Sequence, residues 1–180
     1  TDSFAELLAR NNYLVGISID GPAEVHDRYR RTWQDRGTHA DVLRGLELLR
    51  THGVEFNVLT LVSQANVHRP KEIYRYLKDL GVTYHQYIPC VEFDEAGALL
   101  PFSITGEQWG NFLNGVFDEW VSRDVGTISV RHFDAVLTKI LDNVANTCVM
   151  GKDCRKYFVI EHNGDVYPCD FFVDADKHLG

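Results

Sequence analysis

Residues 13–22 read Tyr13-Leu14-Val15-Gly16-Ile17-Ser18-Ile19-Asp20-Gly21-Pro22. An apolar run reaches Ile19 and then stops at Asp-Gly-Pro, residue types that favour turns. Such a run, bounded in this way, predicts a buried strand whose carboxyl end opens into a loop. Upstream, Ser3 to Asn11 reads as a helix. Downstream, Val42, Leu46 and Leu49 share one face of a helix predicted over Thr38 to His52. It opens with Thr38-x-x-Asp41, similar to a capping box, and stops at Gly53. Val54 to Val62 predicts the next strand. Arg69 to Leu80 predicts a helix with Pro70 early and Gly81 at its end. Val82 to Pro89 predicts a third strand.

Helix and strand alternating three times predict an α/β fold with parallel strands and crossover helices. Both a βα barrel and an open α/β sheet collect functional groups at the carboxyl ends of their strands. Those ends are Ser18 to Gly21, Leu61 to Gln64, and Ile88 to Glu92. Three strands do not close a barrel, so a whole barrel would need strands from upstream.

The pattern then changes. Thr105-Gly106-Glu107-Gln108 starts a helix as a capping box, followed by Trp109, Phe112, Val116 and Trp120 at helical spacing. Arg131 to Val144 predicts a second helix, with Phe133, Val136, Ile140 and Val144 as its stripe. Both stripes read as core. A cysteine-containing loop follows Asn146. Tyr157 to Pro168 predicts a hairpin turning at Asn163-Gly164, a dipeptide suited to positive φ.

Composition narrows the function classes. Hydrophobic residues make up 44% and charged residues 24% of the 180, which places the chain among ordinary globular proteins. The net charge of −8 argues against nonspecific nucleic-acid binding, which requires basic patches. No apolar run is long enough to predict a membrane span. Thr1 to Arg10 lacks the basic-then-apolar layout of a signal peptide, so a cytoplasmic protein is expected.

Three of the four cysteines fall in the spacing Cys148-x5-Cys154-x14-Cys169. Soft thiolates bind zinc or iron–sulfur clusters. Zinc knuckles generally use tight Cys-x2-Cys pairs, and neither gap is that short. Irregular spacing suits a cluster held by a loop and a hairpin end, with a fourth ligand from elsewhere; three buried free cysteines are the alternative. Asp170 follows Cys169 directly, as a general base beside a cluster or as a surface carboxylate. Ser18 sits where a strand ends, and its hydroxyl could donate to a ligand carboxylate or ribose, or belong to a simple turn. In His26-Asp27-Arg28-Tyr29-Arg30, Arg30 could fork onto a carboxylate or belong to a solvated charge cluster. Cys90 ends the third strand and reads as a small buried hydrophobe.

Together, Gly16-Ile17-Ser18-Ile19-Asp20-Gly21-Pro22, His26-Asp27-x-x-Arg30, Gln86-Tyr87-Ile88-Pro89-Cys90 and Tyr167-Pro168-Cys169-Asp170 resemble radical-SAM enzymes with a SPASM domain, above all the anaerobic sulfatase-maturating enzymes. The resemblance implies a (β/α)6 barrel that binds S-adenosyl-L-methionine and a catalytic [4Fe–4S] cluster, then a domain with auxiliary [4Fe–4S] clusters. It implies that residues 1–104 are the C-terminal half of the barrel. Residues 105–180 would be a helical linker and the start of the SPASM domain. Cys148, Cys154 and Cys169 match ligands of the first auxiliary cluster, and Asp170 matches the base that deprotonates the substrate. Ser18 and Arg30 match SAM-contacting positions, as does Val91 through a backbone or apolar contact.

The implied reaction is oxidation of a Cys or Ser of a sulfatase polypeptide to formylglycine, with flavodoxin or ferredoxin as reductant. Members of the class that mature a ribosomal peptide share the cluster ligands. A non-enzymatic zinc-binding or α/β binding module is a further alternative. The Cys-x3-Cys-x2-Cys motif of the catalytic cluster is absent and is expected upstream of Thr1. The second auxiliary cluster is expected mostly beyond Gly180. The chain thus reads as a central fragment, inactive alone.

Overall fold

The structure is a computed structural model that describes residues 1–152 and 157–180. Two compact units divide the chain, Thr1–Phe133 and Asp134–Gly180. The helix that follows the expected functional boundary at 104/105 packs within the first unit.

In the first unit, α1 (Asp2–Arg10) leads into β1 (Leu14–Ser18). Then come α2 (Ala23–Tyr29), α3 (His39–Thr51), β2 (Glu55–Val62), α4 (Pro70–Asp79) and β3 (Tyr84–Pro89). The unit continues through α5 (Gly106–Arg123) and β4 (Ser129–Val130) into α6 (Arg131–Asp142), which crosses the unit boundary. The four strands form one parallel sheet in sequence order. Ser18 pairs with Leu59, Val62 with Pro89, and Tyr84 with Ser129. All carboxyl ends therefore lie at one edge, as the alternation predicts.

Helix boundaries follow local chemistry. Pro70 supplies the first residue of α4, where its missing N–H costs nothing. Glu72 and Lys78 sit at the helix ends whose dipole they complement. Gly81 ends the segment at φ +70°, a conformation that favours glycine. Thr105 and Gln108 form the expected capping box of α5 through reciprocal bonds of 3.2 and 2.9 Å. The apolar face of α5 buries Phe112, Val116 and Trp120 in a core that includes Ile73, Leu77, Val58 and Val82.

The expected capping box at Thr38 does not form. Thr38 makes no side-chain cap to α3. Asp27, on α2, accepts the His39 N–H at 2.8 Å instead. Asp41 is drawn outward by ion pairs to Arg36 and Arg44. A long-range carboxylate thus replaces the local cap. Gly37 is required beside it, because a Cβ there would lie 2.2 Å from the Asp27 carboxyl carbon.

In the second unit, Cys148–Met150 forms a single 3₁₀ turn. The strands β5 (Val159–Ile160) and β6 (Val166–Tyr167) pair antiparallel as the predicted hairpin. Asn163 Oδ1 accepts the Asp165 N–H at 3.1 Å, and Gly164 adopts φ +95°. Among the described residues, no helix is long and apolar enough to cross a membrane.

Candidate functional site

At the carboxyl end of β1 the chain turns through Asp20 and Gly21 into α2. Asp20 is buried, and its carboxylate accepts the Leu61 N–H at 2.9 Å from neighbouring β2. The same carboxylate takes a fork from Arg30, with Nε at 2.5 Å and Nη2 at 3.2 Å. Asn66 binds the Asp20 carbonyl at 2.9 Å and the Leu61 carbonyl at 3.0 Å. Thr60 donates to the Ile19 carbonyl at 2.6 Å. These bonds fix the loops after β1 and β2 against each other.

His26 is fully buried beneath this loop. Its Nδ1 accepts the Asp20 N–H at 3.3 Å, so the ring proton is on Nε2. Nε2 donates to Thr38 Oγ1 at 3.1 Å, and Thr38 donates onward to the Arg30 carbonyl at 2.9 Å. Burial lowers the His26 pKa, although the Asp20 charge opposes the shift, and the neutral ring is the form this geometry needs.

Ser18 and Arg30 both line a cavity of about 660 Å³ that runs along β1 from Val15 to Ser18, between Phe4 and Leu8 of α1 and Val42 and Leu49 of α3, with His26 and Thr38 also among its walls. That volume suits a ligand of nucleoside size, and mostly apolar walls with a few placed polar groups are the usual composition of such sites. The donor set is a hydroxyl at a strand end and a guanidinium whose Nη1 is not engaged by Asp20. This chemistry fits S-adenosyl-L-methionine, which carries ribose hydroxyls and an amino-acid carboxylate. Val91 follows β3, two strands from Ser18, and is 42% exposed; it is not among this cavity's walls. Cys90 is buried as expected, its N–H bonded to the Val62 carbonyl at 2.9 Å.

The cysteine site belongs to the second unit. Cys148 and Cys169 are free thiols, the first exposed and the second half-exposed. Cys154 lies outside the described residues. The Phe171 N–H favours the Cys169 thiolate. Partial burial, the Asp170 hydrogen bond and the Asp170 and Cys148 charges outweigh it and raise the pKa. Thiols are the soft donors that iron–sulfur clusters use, but among the described residues no three His, Cys, Asp or Glu side chains gather where they could hold a metal ion. Cys169 Sγ donates to Asp170 Oδ1 at 3.2 Å, and Asp170 is solvent-exposed.

Sequence reasoning missed His26, Thr38 and Asn66 as parts of the site, and it took Asp20 only as a turn residue. One signal was available: His26 and Arg30 stand four residues apart, about one helical turn, with Arg30 as the extended residue that ends α2.

No family model matches the chain. It is 40% identical over its full length to the serine-type anaerobic sulfatase-maturating enzyme of Bacteroides thetaiotaomicron, covering 47% of that protein. It is 34% identical over 99% of its length to the cysteine-type enzyme of Clostridium novyi, covering 49% of that protein. Among solved structures, native anSMEcpe with bound AdoMet matches with a TM-score of 0.89 at 33% identity, over all of this chain and 50% of that one. The same protein with AdoMet and the Cp18Cys peptide matches with a TM-score of 0.90, over all of this chain and 51% of that one. The parallel α/β architecture is accordingly that of part of a radical-SAM enzyme. The chain spans about half the length of the curated relatives it matches, and along its whole length it is a homologue of the anaerobic sulfatase-maturating enzymes.

Proposed function

We propose that the protein containing this chain oxidises a Cys or Ser of a sulfatase polypeptide to formylglycine as a radical-SAM enzyme. One observation carries the reading. Ser18 and Arg30 share a ligand-sized cavity that runs along β1 between α1 and α3, in a chain homologous throughout to sulfatase-maturating enzymes.

When bound, S-adenosyl-L-methionine and the [4Fe–4S] clusters supply a hydrogen-abstracting radical and an electron acceptor. The residues of this chain bind and orient. The Ser18 hydroxyl and the Arg30 guanidinium hold polar groups of the SAM molecule; the apolar or backbone contact assigned to Val91 rests on the family resemblance alone, since Val91 follows β3 outside this cavity. Cys148, Cys154 and Cys169 hold an auxiliary cluster. Asp170 takes the proton of the substrate thiol or hydroxyl; its side chain is exposed and so open to a substrate. Residues 1–104 serve as barrel and 105–180 as linker and start of the SPASM domain. The reductant is a flavodoxin or ferredoxin, and the setting is the cytoplasm. The charge of −8 supports a protein that does not bind nucleic acid.

The test uses the full-length protein, reconstituted anaerobically with iron and sulfide. It receives SAM, a reductant and a peptide bearing Cys-x-Pro-x-Arg, followed by mass spectrometry. Conversion of the Cys to formylglycine is expected. SAM cleavage with the peptide unchanged would overturn the assignment and favour a ribosomal-peptide substrate. Stoichiometric zinc without iron would overturn the cluster reading.

A further inference from the structure

We propose that Asp20 is a positioning residue that presents the Arg30 guanidinium to the SAM site, an inference that rests on the function proposed above. Arg30 is one of the longest and most rotamer-rich side chains, so a ligand that had to order it would bind more weakly. Here the ordering is already done, by two routes. Side chain to side chain, Asp20 grips the Nε–Nη2 edge at 2.5 and 3.2 Å. Main chain to main chain, the Asp20 N–H reaches the Arg30 carbonyl through His26 and Thr38, over bonds of 3.3, 3.1 and 2.9 Å. Asp20 is itself immobile, since its carboxylate accepts from Leu61 and its carbonyl from Asn66. The rigid β1–β2 pair is thus extended through Asp20 to Arg30, and the Nη1 end of the fork remains for a ligand in the cavity that Arg30 lines.

The chemistry of the pair makes Asp20→Asn a selective probe. An Asn oxygen at the Oδ1 position keeps the Leu61 bond and the longer Nη2 contact, while its amide nitrogen faces the Arg30 Nε–H donor, so the shorter bond of the fork and the carboxylate charge are lost. Thr38→Val, close in volume, removes the hydroxyl link between His26 and the Arg30 carbonyl, leaves the 3.2 Å bond from the Thr38 N–H to that carbonyl, and serves as the second variant.

The experiment measures the SAM dissociation constant by equilibrium dialysis on the anaerobic, cluster-loaded full-length protein. Iron content and melting temperature are recorded beside it. Asp20→Asn is expected to weaken SAM binding about tenfold, the scale of releasing one ordered side chain. Thr38→Val is expected to weaken it about threefold. In an Arg30→Ala background the Asp20→Asn effect should fall below about twofold, because Asp20 is not a cavity wall and acts only through Arg30, and the Thr38→Val effect, part of which comes from Thr38 lining the cavity itself, should shrink. Equal weakening in both backgrounds would overturn the inference, as would unchanged affinity in Asp20→Asn. Arg30→Ala binding SAM as well as the parent would instead overturn the site assignment itself. If Asp20→Asn lost iron or melted early, Thr38→Val decides by the same cycle.

Discussion

The Asp27 carboxylate caps α3 from outside, accepting the His39 N–H at 2.8 Å across a gap of twelve residues. The cap belongs to the motif His26-Asp27-x-x-Arg30, each named member of which makes a different tether. His26 ties the Asp20 loop to Thr38, Asp27 starts α3, and Arg30 returns to Asp20.

Replacing Asp27 with Ala should therefore cost about 1 kcal/mol, the usual loss of a helix cap. Gly37→Ala should be more damaging, since its Cβ would meet the Asp27 carboxyl at 2.2 Å. The two should couple: Gly37→Ala is expected to be milder when Asp27 is already Ala. Hydrogen exchange in the first turn of α3 measures all three variants, and strictly additive losses would contradict the contact.

His85 predicts a pH dependence. It is buried beside Tyr74 and Tyr87, with Nε2 donating to the Val82 carbonyl at 3.0 Å and Nδ1 within 3.2 Å of the Tyr87 hydroxyl. Burial lowers its pKa to about 4. The unfolded chain, with a His pKa of about 6.5, then binds the proton more readily than the folded one. The stabilisation is complete above pH ~6.5 and is lost as pH falls towards 4, by about 2 kcal/mol between pH 7 and pH 5. His85→Gln should flatten this slope in denaturation of the full-length protein at the two pH values.

Asp124 has a second acid-sensitive role. Burial raises its pKa, but hydrogen bonds from Lys78 and Tyr74 outweigh that and lower it. Stability from this group is present above the ordinary Asp value and is lost as pH falls through the depressed one. Tyr74 donates at 2.7 Å, so Tyr74→Phe should cost about 1–2 kcal/mol. Lys78→Met should shift acid unfolding to higher pH, read by tryptophan fluorescence during an acid titration. An unchanged acid midpoint would count against the pairing.

Cys148→Ala and Cys169→Ala should each lower the iron and sulfide bound by the anaerobically reconstituted full-length protein. SAM affinity should be unaffected, because the SAM contacts proposed here are Ser18, Arg30 and Val91. Full iron content in both variants would remove these thiols from the ligand set.

The parallel strands were legible because each is an apolar run bounded by turn residues, as in Tyr13 to Ile19, but the burial expected of that run is reached only at Ile19, since β1 is an edge strand and Tyr13 and Leu14 are exposed. Asn163-Gly164 announced its hairpin through backbone chemistry alone. The strand β4 was not legible. Two residues carry no period, and they are held from a distance by the Thr83 carbonyl and by Trp120 bonding the Ile128 carbonyl. Thr38-x-x-Asp41 misled because a local pattern contains no trace of a competitor on another helix. Ser18 and Arg30 were nameable singly, but the Asp20 grip on Arg30 joins residues ten apart through a turn and a helix. Cys148 and Cys169 were marked by spacing.

The triple use of His26-Asp27-x-x-Arg30 bears on how mutational surveys of this protein would be read. An alanine survey scored only by product formed would give similar deficits at His26, Asp27 and Arg30, and would invite a catalytic label for all three. The bonds they make divide them into an anchor for a loop, a cap for a helix and a donor beside a cavity. Asp27 lines no part of the cavity, so a change in the ligand itself, such as a SAM analogue lacking its carboxylate, should leave its effect unaltered and alter that of Arg30 most.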